Sequence, residues 1–305
     1  ACGSKRSARV DLRLMFLSVA TRGVATVASA SINRFTLAEA TPAQHALIAG
    51  TLAPFMKEER VVRMREVLDR RRRGVHLVLE NVADPFNCAA VMRTAEGLGV
   101  QHVHVIESVS EFTLPAAEAS VASRGFNSRT VAQTAAGSVA MGASRWLTLS
   151  KYRRSIDCYE ALREAGCRIV ASDCPPATED EGQESGASFQ TIKQHEFDAK
   201  PIDALSFEAG KPVALVFGNE RRGVSRQFVE RADDAFYLPM GGFTQSFNIS
   251  VACAMALYAA IASGAFAEGT LTEAERDKLL ALWLLRDVKA ARPILRQAGI
   301  ELDDF

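Results

Sequence analysis

Apolar and polar positions alternate along the chain in a pattern that predicts short strands separated by helices. Two apolar runs of strand length, His76–Glu80 and His102–Glu107, flank the segment Asn81–Val100, which opens with a proline-containing turn and continues with helical periodicity. Further strands are predicted at Arg145–Leu149, Cys167–Cys174, Val213–Phe217 and Ala235–Met240, and further helices at Ser155–Gly166, Val224–Arg231 and Val251–Ala262. This alternation predicts an α/β fold with a parallel sheet flanked by helices.

Segments outside this alternation set the expected domain boundaries. Residues 175–210 carry four acidic residues between 179 and 184 together with Pro, Gly and Ser, which is typical of an exposed insertion. Residues 120–143 are rich in small residues, and we expect them to be helical in part. The expected organisation is a tail over residues 1–35, a linker and basic helix over 36–73, the α/β domain over 74–263 and a helical extension over 264–305.

Two helices are predicted outside the α/β domain. Lys57–Arg73 has a stripe of apolar residues, while eight Lys or Arg stand against four acidic residues, so one face packs and the other is basic. A basic helix face is in most cases only a solvated face. Near the C-terminus, Thr272 and Glu275 have the spacing of a capping box, which predicts that a helix begins there.

Composition narrows the classes of partner and cofactor. The 305 residues contain 36 basic and 36 acidic residues, so a nucleic-acid partner has to be inferred from local clusters and not from net charge. The six cysteines include no C-x-x-C pair and form no metal-like cluster with the five histidines, which favours a reducing compartment and no metal. No apolar run is long enough to predict a membrane span.

The first 35 residues differ from the rest in charge. They hold six basic residues and a single acid, Asp11, and from Met15 onward their composition is that of an organelle transit peptide. We expect translation to start at Met15 and a presequence to end near Phe35, which would direct the protein to the mitochondrion or another organelle. The alternative is a disordered tail without a targeting role on a protein of the cytoplasm.

Common nucleotide-binding and hydrolase motifs do not occur in the sequence. Gly218–Ser225 has the glycine spacing of a phosphate loop, but Val224 stands where that loop requires lysine. No G-x-G-x-x-G follows a predicted strand, and no G-x-S-x-G is present. We therefore exclude a P-loop NTPase, a dinucleotide-binding Rossmann enzyme and a serine hydrolase of the G-x-S-x-G type.

Three polar turns rich in glycine or asparagine remain, each after a predicted strand: Asn81–Arg93, Gly218–Ser225 and Pro239–Ser250. Such turns bring main-chain N–H and C=O groups close to a ligand, which favours a cofactor site. On the first turn alone, an ordinary crossover in which Asn87 caps the helix is the simpler interpretation. The three turns together favour the cofactor site.

The three turns also carry motifs that resemble those of the SpoU/TrmH family of RNA 2′-O-ribose methyltransferases. These motifs are N-x-x-D-P-x-N-x-x-A-x-x-R-T-A from Asn81, L-V-x-G-x-E-x-x-G-V-S from Leu215 and L-P-M-x-G-x-x-x-S-x-N-x-S-V-A from Leu238. The resemblance runs from about Glu59 to the C-terminus. It implies a parallel sheet whose C-terminal part forms a trefoil knot, S-adenosylmethionine as cofactor, and a homodimer with the active site at the subunit interface.

By motif position, the resemblance also implies roles for individual residues. The residues that would line the cofactor are Ser172, Gly218, Leu238, Met240 and Phe247. The residues that would form the catalytic site are Asn87, Arg93, Glu220, Ser246 and Asn248, with Arg93 as the catalytic residue. If the substrate is RNA, we expect the basic helix to contact phosphates beside this site through Arg63, Arg70, Arg71, Arg72 and Arg73.

The chemistry implied by this family is an in-line displacement at a sulfonium methyl, which depends mainly on positioning. Because a guanidinium stays protonated in proteins, we expect Arg93 to stabilise the developing alkoxide or to clamp a phosphate, and not to act as a base. The helices at both ends of the chain resemble the tRNA-directed TrmH branch, so the first expectation is guanosine-18 in the D-loop of tRNA. The alternatives are the same reaction on ribosomal RNA and a non-catalytic RNA-binding scaffold.

Overall fold

A computed structural model of the chain describes residues 33–82, 84–109, 142–173, 199–244 and 246–303. Three expectations fall on segments outside these described residues. They concern the presequence before Asn33, the helix expected within 120–141 and the acidic residues of 179–184.

Parallel strands form the centre of the structure. The described strands are β1 Asn33–Phe35, β2 Arg72–Glu80, β3 Val100–Ile106, β4 Thr148–Tyr152, β5 Arg168–Ser172, β6 Lys200–Pro201, β7 Val213–Phe217, β8 Asp234–Tyr237 and β9 Ile300–Leu302. Seven of them form one sheet in the order β4-β3-β2-β7-β5-β8-β6, and every neighbouring pair is parallel. All five residues of β7 are buried, as expected for a strand covered on both faces. The predicted parallel sheet is confirmed.

Helices cover both faces of this sheet. The described helices are α1 Pro42–Leu52, α2 Glu58–Leu68, α3 Pro85–Gly97, α4 Ser155–Glu164, α5 Arg226–Val229, α6 Ile249–Ala262, α7 Glu273–Asp287 and α8 Ala291–Gln297. On one face, α3 and α6 pack against each other and bury Val91 and Leu257 with Leu79 of β2. On the other face, α4 and α5 bury Leu162 and Phe228. None of the described helices is long and apolar enough to cross a membrane.

The two ends of the chain meet in a second core. Helices α1, α2, α7 and α8 pack around Ile48, Leu52, Trp283 and Leu284, all of which are buried. Strands β1 and β9 pair in parallel beside them. Helix α7 begins with the predicted capping box, in which the side chain of Thr272 accepts from the backbone of Glu275. The folded body therefore already includes β1, and the boundary predicted after residue 35 lies too far along the chain.

The predicted linker over residues 36–56 is wrong. It contains helix α1, which begins at a second capping box formed by Thr41 and Gln44. Ile48 and Leu52 are fully buried, so the apolar residues of this short segment pack in the second core. The T-P-x-Q pattern at its start is a helix signal that the composition of the segment obscures.

Two other predicted boundaries shift. The basic helix ends at Leu68 and not at Arg73, because the chain turns there and enters β2 at Arg72. The strand predicted at Arg145–Leu149 begins only at Thr148, after a 3-10 turn over Ala143–Trp146.

The predicted insertion over residues 175–210 is also too long. Its last part, residues 199–210, supplies the edge strand β6 and the buried side chains Ile202 and Leu205. Strand β6 pairs with the carboxyl end of β8. These residues therefore belong to the sheet domain.

A row of aromatic side chains crosses strands β2, β3 and β4 on the face that carries α4. The His76 ring stacks on His102 and on His104, with ring centroids 4.7 and 5.2 Å apart. His76 Nδ1 and His104 Nε2 are hydrogen-bonded at 2.9 Å, and His104 Nδ1 lies 3.1 Å from the Tyr152 hydroxyl. Burial, reinforced by the neighbouring histidines, lowers the pKa of His76 to about 3 and that of His104 to about 4. Both rings are therefore neutral at pH 5.

This row predicts a loss of stability on acidification. The pKa values of His76 and His104 are depressed in the folded state, so below about pH 6.5 the unfolded chain binds protons that the folded chain does not. Each histidine then lowers the free energy of unfolding by about 1.4 kcal/mol per pH unit until its folded pKa is reached. In urea unfolding between pH 7 and pH 4.5, the variant His104→Leu should show a slope shallower by about that amount than the parent. Equal slopes would contradict the assignment.

Candidate active site

The carboxyl ends of β2, β7 and β8 lie at one edge of the sheet, because all strands run in the same direction. The three motif-bearing turns follow these ends, and the structure thus brings together segments more than 100 residues apart in sequence. In α/β folds this edge is where ligands bind. The three turns are also joined to one another by side-chain hydrogen bonds.

Helix α3 is capped by Asp84, not by Asn87. The Asp84 carboxylate accepts from the backbone N–H groups of Phe86 at 2.7 Å and Asn87 at 3.2 Å. Pro85 occupies the first helical turn, where its missing N–H costs nothing. The alternative interpretation, in which Asn87 caps the helix, is therefore wrong, and its side chain is available for other contacts.

The side-chain amide of Asn87 links the other two turns. Its Nδ2 donates to Glu220 Oε1 at 3.0 Å, and its Oδ1 accepts from Asn248 Nδ2 at 3.0 Å. Asn248 in turn caps α6, because its Oδ1 accepts from the backbone N–H of Ser250 at 2.9 Å. Glu220, Asn87 and Asn248 form one continuous chain of hydrogen bonds across the three motifs. The structure places Ser246 two residues before Asn248, on the exposed surface of the same turn.

The turn after β7 folds back tightly on itself. Asn219 and Gly223 exchange backbone hydrogen bonds of 3.1 and 2.8 Å, and Gly223 has a left-handed backbone with φ of 65°. A Cβ atom on Gly218 would lie about 2 Å from the backbone of Gly223 and Val224, so no side chain fits there. Asn219 Nδ2 also donates to the carbonyl of Asn81 at 2.9 Å, which fixes this turn against the first motif.

A buried carboxylate that was not predicted from the sequence, that of Glu80, fixes the end of this turn to β2. Glu80, at the end of β2, is 2% exposed. Its carboxylate accepts from the Ser225 backbone N–H at 2.7 Å and the Ser225 hydroxyl at 2.8 Å. It also accepts from the Ser155 hydroxyl at 2.5 Å, at the start of α4. The sequence does contain a signal for this anchor, a single glutamate directly after the apolar residues Leu77–Leu79. A carboxylate buried there needs hydrogen-bond donors.

The residues expected to line the cofactor surround the same edge. Gly218 and Leu238 are buried, and Phe247 packs against the main core. Ser172 ends β5 opposite Phe236 of β8, and Met240 is half-buried beyond β8. Apolar side chains next to the main-chain groups of tight turns fit a nucleoside with a polar edge. The described residues contain no cluster of His, Cys, Asp and Glu that would hold a metal.

Arg93 lies on the same helix as Asn87, six residues further along, and its side chain is exposed. Six residues correspond to about 9 Å along the helix axis. A long guanidinium side chain can span such a distance toward a substrate bound over the three turns. Cys88, one residue after Asn87, is no candidate nucleophile, because burial and the nearby Glu220 and Asp84 raise its pKa to about 12.

Arg71 is the predicted RNA-contacting residue that the structure contradicts. It is 1% exposed and donates to the carbonyls of Glu96 and Val100, both at 3.2 Å, and to the Glu96 carboxylate at 3.0 Å. Its guanidinium also lies over the Trp283 ring, and burial lowers its pKa. Arg71 therefore ties the two cores together and cannot contact RNA.

The other basic residues lie at the far edge of the sheet. Arg63 and Arg70 are exposed, Arg73 is exposed and pairs with Glu275 at 2.9 Å, and Arg72 is mostly covered by its bond to Glu268. They precede or begin β2, whereas the three turns follow its end. Strand β2 is about 26 Å long from Arg72 to Glu80. Within one subunit these arginines are therefore distant from the three turns, and their contact with RNA stays a prediction.

Comparison with known proteins identifies the family. The profile of the SpoU rRNA Methylase family matches residues 74–258, which is more than half of the chain. The chain belongs to this family. Its members are RNA 2′-O-methyltransferases that bind S-adenosylmethionine, and the three linked turns are the motifs that carry the resemblance in this chain.

Individual SpoU relatives match most of the chain. It is 28% identical over 242 residues to the tRNA (guanosine(18)-2′-O)-methyltransferase of Borreliella burgdorferi, a match that covers 79% of this chain and 91% of that protein. The enzyme of the same name from Thermus thermophilus is 28% identical over 231 residues, covering 74% of this chain and 96% of that protein. The fold matches the crystal structure of the Aquifex aeolicus TrmH/SpoU tRNA modifying enzyme with a TM-score of 0.56 and 24% identity, over 76% of this chain and 98% of that chain.

Proposed function

We propose that this SpoU protein methylates the 2′-hydroxyl of guanosine-18 in tRNA. The observation that carries the proposal is the extent of similarity to relatives named for this reaction, which reaches beyond the family profile into the terminal segments. In this chain the terminal helices α1, α2, α7 and α8 form a core of their own against the sheet domain. A conserved catalytic sheet can serve many RNA substrates, so we take the terminal helices to set the choice of tRNA.

The proposed site holds S-adenosylmethionine through Ser172, Gly218, Leu238, Met240 and Phe247. The bound cofactor supplies a sulfonium methyl group for transfer to the ribose oxygen. Leu238 and Phe247 would enclose its adenine, because both pack against the main core. The backbone of the Gly218 turn, fixed by Asn81 and Glu80, would bind its polar groups without reorganising.

We assign the reacting ribose to the surface formed by Asn87, Glu220, Ser246 and Asn248. The hydrogen bonds of Asn87 to Glu220 and Asn248 orient this surface before the substrate arrives. Arg93 would bring a positive charge to the ribose oxygen as it loses its proton. A guanidinium stabilises an alkoxide or an adjacent phosphate without accepting a proton itself.

We also propose that the protein acts as a homodimer that pairs through α6. Val251, Met255 and Tyr258 are 45%, 41% and 65% exposed, and their spacing puts them on one face of this helix. Phe86, on the adjacent helix α3, is 52% exposed. Apolar residues in a row on a surface helix are typical of a protein interface. A second copy is the proposed occupant, because the stripe borders the active-site turns at Asn248 and Asp84 and a twofold pairing would complete the site.

The trefoil knot belongs to the same proposal. It would be formed by the chain from β7 to α6, in which the Gly218 turn is tied to the end of β2 through Glu80 and Asn81. Tracing the chain continuously through this region in a crystal structure would test the knot.

The substrate proposal predicts the outcome of a direct assay. The full chain, incubated with methyl-labelled S-adenosylmethionine, should methylate an unmodified tRNA transcript that carries guanosine at position 18. The same transcript with 2′-deoxyguanosine at that position should take up no label, because it lacks the acceptor oxygen. Label in ribosomal RNA fragments instead of tRNA would contradict the tRNA proposal and favour the ribosomal alternative. No transfer to any RNA, combined with no cofactor binding, would favour the scaffold.

The role of Arg93 predicts the behaviour of Arg93→Lys. Lysine keeps the charge but loses the planar fork, so turnover should fall by about 100-fold while the Kd for S-adenosylmethionine changes less than about twofold. Isothermal titration and single-turnover rates would measure the two effects. Arg231→Lys, an exposed arginine outside the site, is the matched control and should keep full turnover. Near-normal activity of Arg93→Lys would mean that any cation suffices.

The dimer proposal predicts that Tyr258→Glu separates the subunits. A carboxylate at the most exposed position of the α6 stripe would be buried without a partner in the dimer, so light scattering should give half the mass of the parent. Activity should fall with the loss of the dimer. Phe55→Glu makes the same change at another apolar residue, 61% exposed, outside the stripe, and should leave the mass unchanged. A parent protein that is monomeric at micromolar concentration would refute the dimer.

A further inference from the structure

Three arginines surround one indole ring at the junction of the two cores. The guanidinium carbons of Arg60, Arg145 and Arg286 lie 5.2, 4.9 and 5.0 Å from the centroid of Trp146. They come from α2, from the 3-10 turn before β4 and from α7. We call these four residues, together with Asp287, the Trp146 cluster.

Positive charge in the Trp146 cluster exceeds negative charge. In the described part of the chain, Asp287 is the one carboxylate that contacts these arginines, and its side chain is 8% exposed. It pairs with Arg145, lies 3.3 Å from Arg60 and is 3.6 Å from Nε of Arg286. Burial and the neighbouring Arg145 lower the pKa of Arg286 to about 10. Three cations around a single carboxylate leave a net positive charge that a bound anion would balance.

The same residues leave hydrogen-bond donors unused. Nε of Arg145 and both Nε and Nη2 of Arg286 are buried and have no hydrogen-bond acceptor among the described residues. A buried donor without a partner costs about 1–3 kcal/mol. The cluster is nonetheless open to solvent on one side, because the side chains of Arg60 and Arg145 are 48% and 31% exposed. An anion that approaches along Arg60 would balance the excess positive charge.

The indole itself is held rigidly. The Trp146 carbonyl accepts from Gln101 at 3.2 Å, and the Trp146 ring meets the buried Trp283 ring edge to face at 5.0 Å. Guanidinium groups stacked on an aromatic ring are fixed in direction while their N–H edges remain free to bind oxyanions. The cluster is thus a prearranged set of donors and not a group of mobile surface side chains.

We infer that the Trp146 cluster binds a backbone phosphate of the RNA substrate, an inference that rests on the proposed function. Arginine forks match the two free oxygens of a phosphodiester. The cluster precedes β4, so it lies at the sheet edge opposite the three turns, on the same side as Arg70 and Arg73. A phosphate bound there belongs to a part of the RNA distant from the methylated ribose. The cluster therefore affects RNA binding and not the methyl-transfer step.

Neutralising Arg60 tests this inference, because this side chain is half-exposed and its loss should leave the fold intact. For Arg60→Gln, the Kd for full-length tRNA at about 0.1 M salt should rise about 3- to 10-fold, and the slope of log K against log salt should fall by about 0.9, the value for one lost phosphate contact. The KM for tRNA should rise while kcat and the Kd for S-adenosylmethionine stay unchanged. Arg60→Lys should retain most of the affinity.

The matched control is Arg276→Gln. It removes one positive charge near the start of α7, whereas the Trp146 cluster lies at the end of that helix. Arg276 pairs with Asp69, and its loss should leave tRNA binding unchanged. Thermal unfolding of each variant confirms folding. Parental Kd and salt slope for Arg60→Gln would overturn the inference.

Inorganic phosphate separates the two sources of the ligand. Tryptophan emission that responds to millimolar phosphate in the parent but not in Arg60→Gln, with tRNA binding unaffected, would mean that the site takes free phosphate and not RNA, and would overturn the inference. If the parent binds tRNA through Arg60 yet transfers no methyl group, the proposed function fails while the phosphate site stands.

Discussion

The side-chain amide of Asn87 is the contact on which the geometry of the active site depends. It donates to Glu220 and accepts from Asn248, both at 3.0 Å, and so joins the first motif to two turns more than 100 residues further along the chain. The amide does both at once, whereas aspartate would set a carboxylate against Glu220 and leucine would leave both partners without this bond. Because Asp84 takes over the capping of α3, Asn87 is released for this role.

The compact turn at Gly218 is a second constraint on the geometry of the site. The Gly218 turn is so compact that its own backbone excludes a side chain at that position. Its glycine is therefore required for the fold of the turn before any question of ligand approach arises. Glu80 and Asn219 then fix the turn against the end of β2. A buried carboxylate with three donors resists displacement strongly, which holds the proposed cofactor site rigidly against the sheet.

Whether a feature of the fold or of the site could be predicted from the sequence depends on how far apart the interacting residues lie along the chain. The strand–turn–helix unit at Asn81 and the capping box at Thr272 depend on neighbours in sequence, and their patterns predicted them correctly. The sheet joins distant strands such as β2 and β7, and its parallel pairing was predicted from the alternation of strands and helices. The motifs predicted which turns would meet, because parallel strands end at a common edge. Local patterns could not show that Arg71 is buried, since its partners Glu96 and Val100 lie some 25 residues away. The same holds for β1, which pairs with β9 at the other end of the chain.

The position of the arginines limits the role of the basic segment that precedes and begins β2. Charges at the amino end of β2 are about 26 Å from the proposed ribose site within one subunit, too far to act on a methyl group transferred there at physiological ionic strength, where screening sets in within about 8 Å. Within one subunit, any contribution they make to the reaction therefore has to pass through the RNA itself. A folded RNA can contact both edges at once with a smaller loss of conformational freedom than a flexible strand. The separation of basic edge and catalytic edge therefore favours a structured substrate such as tRNA over an isolated oligonucleotide.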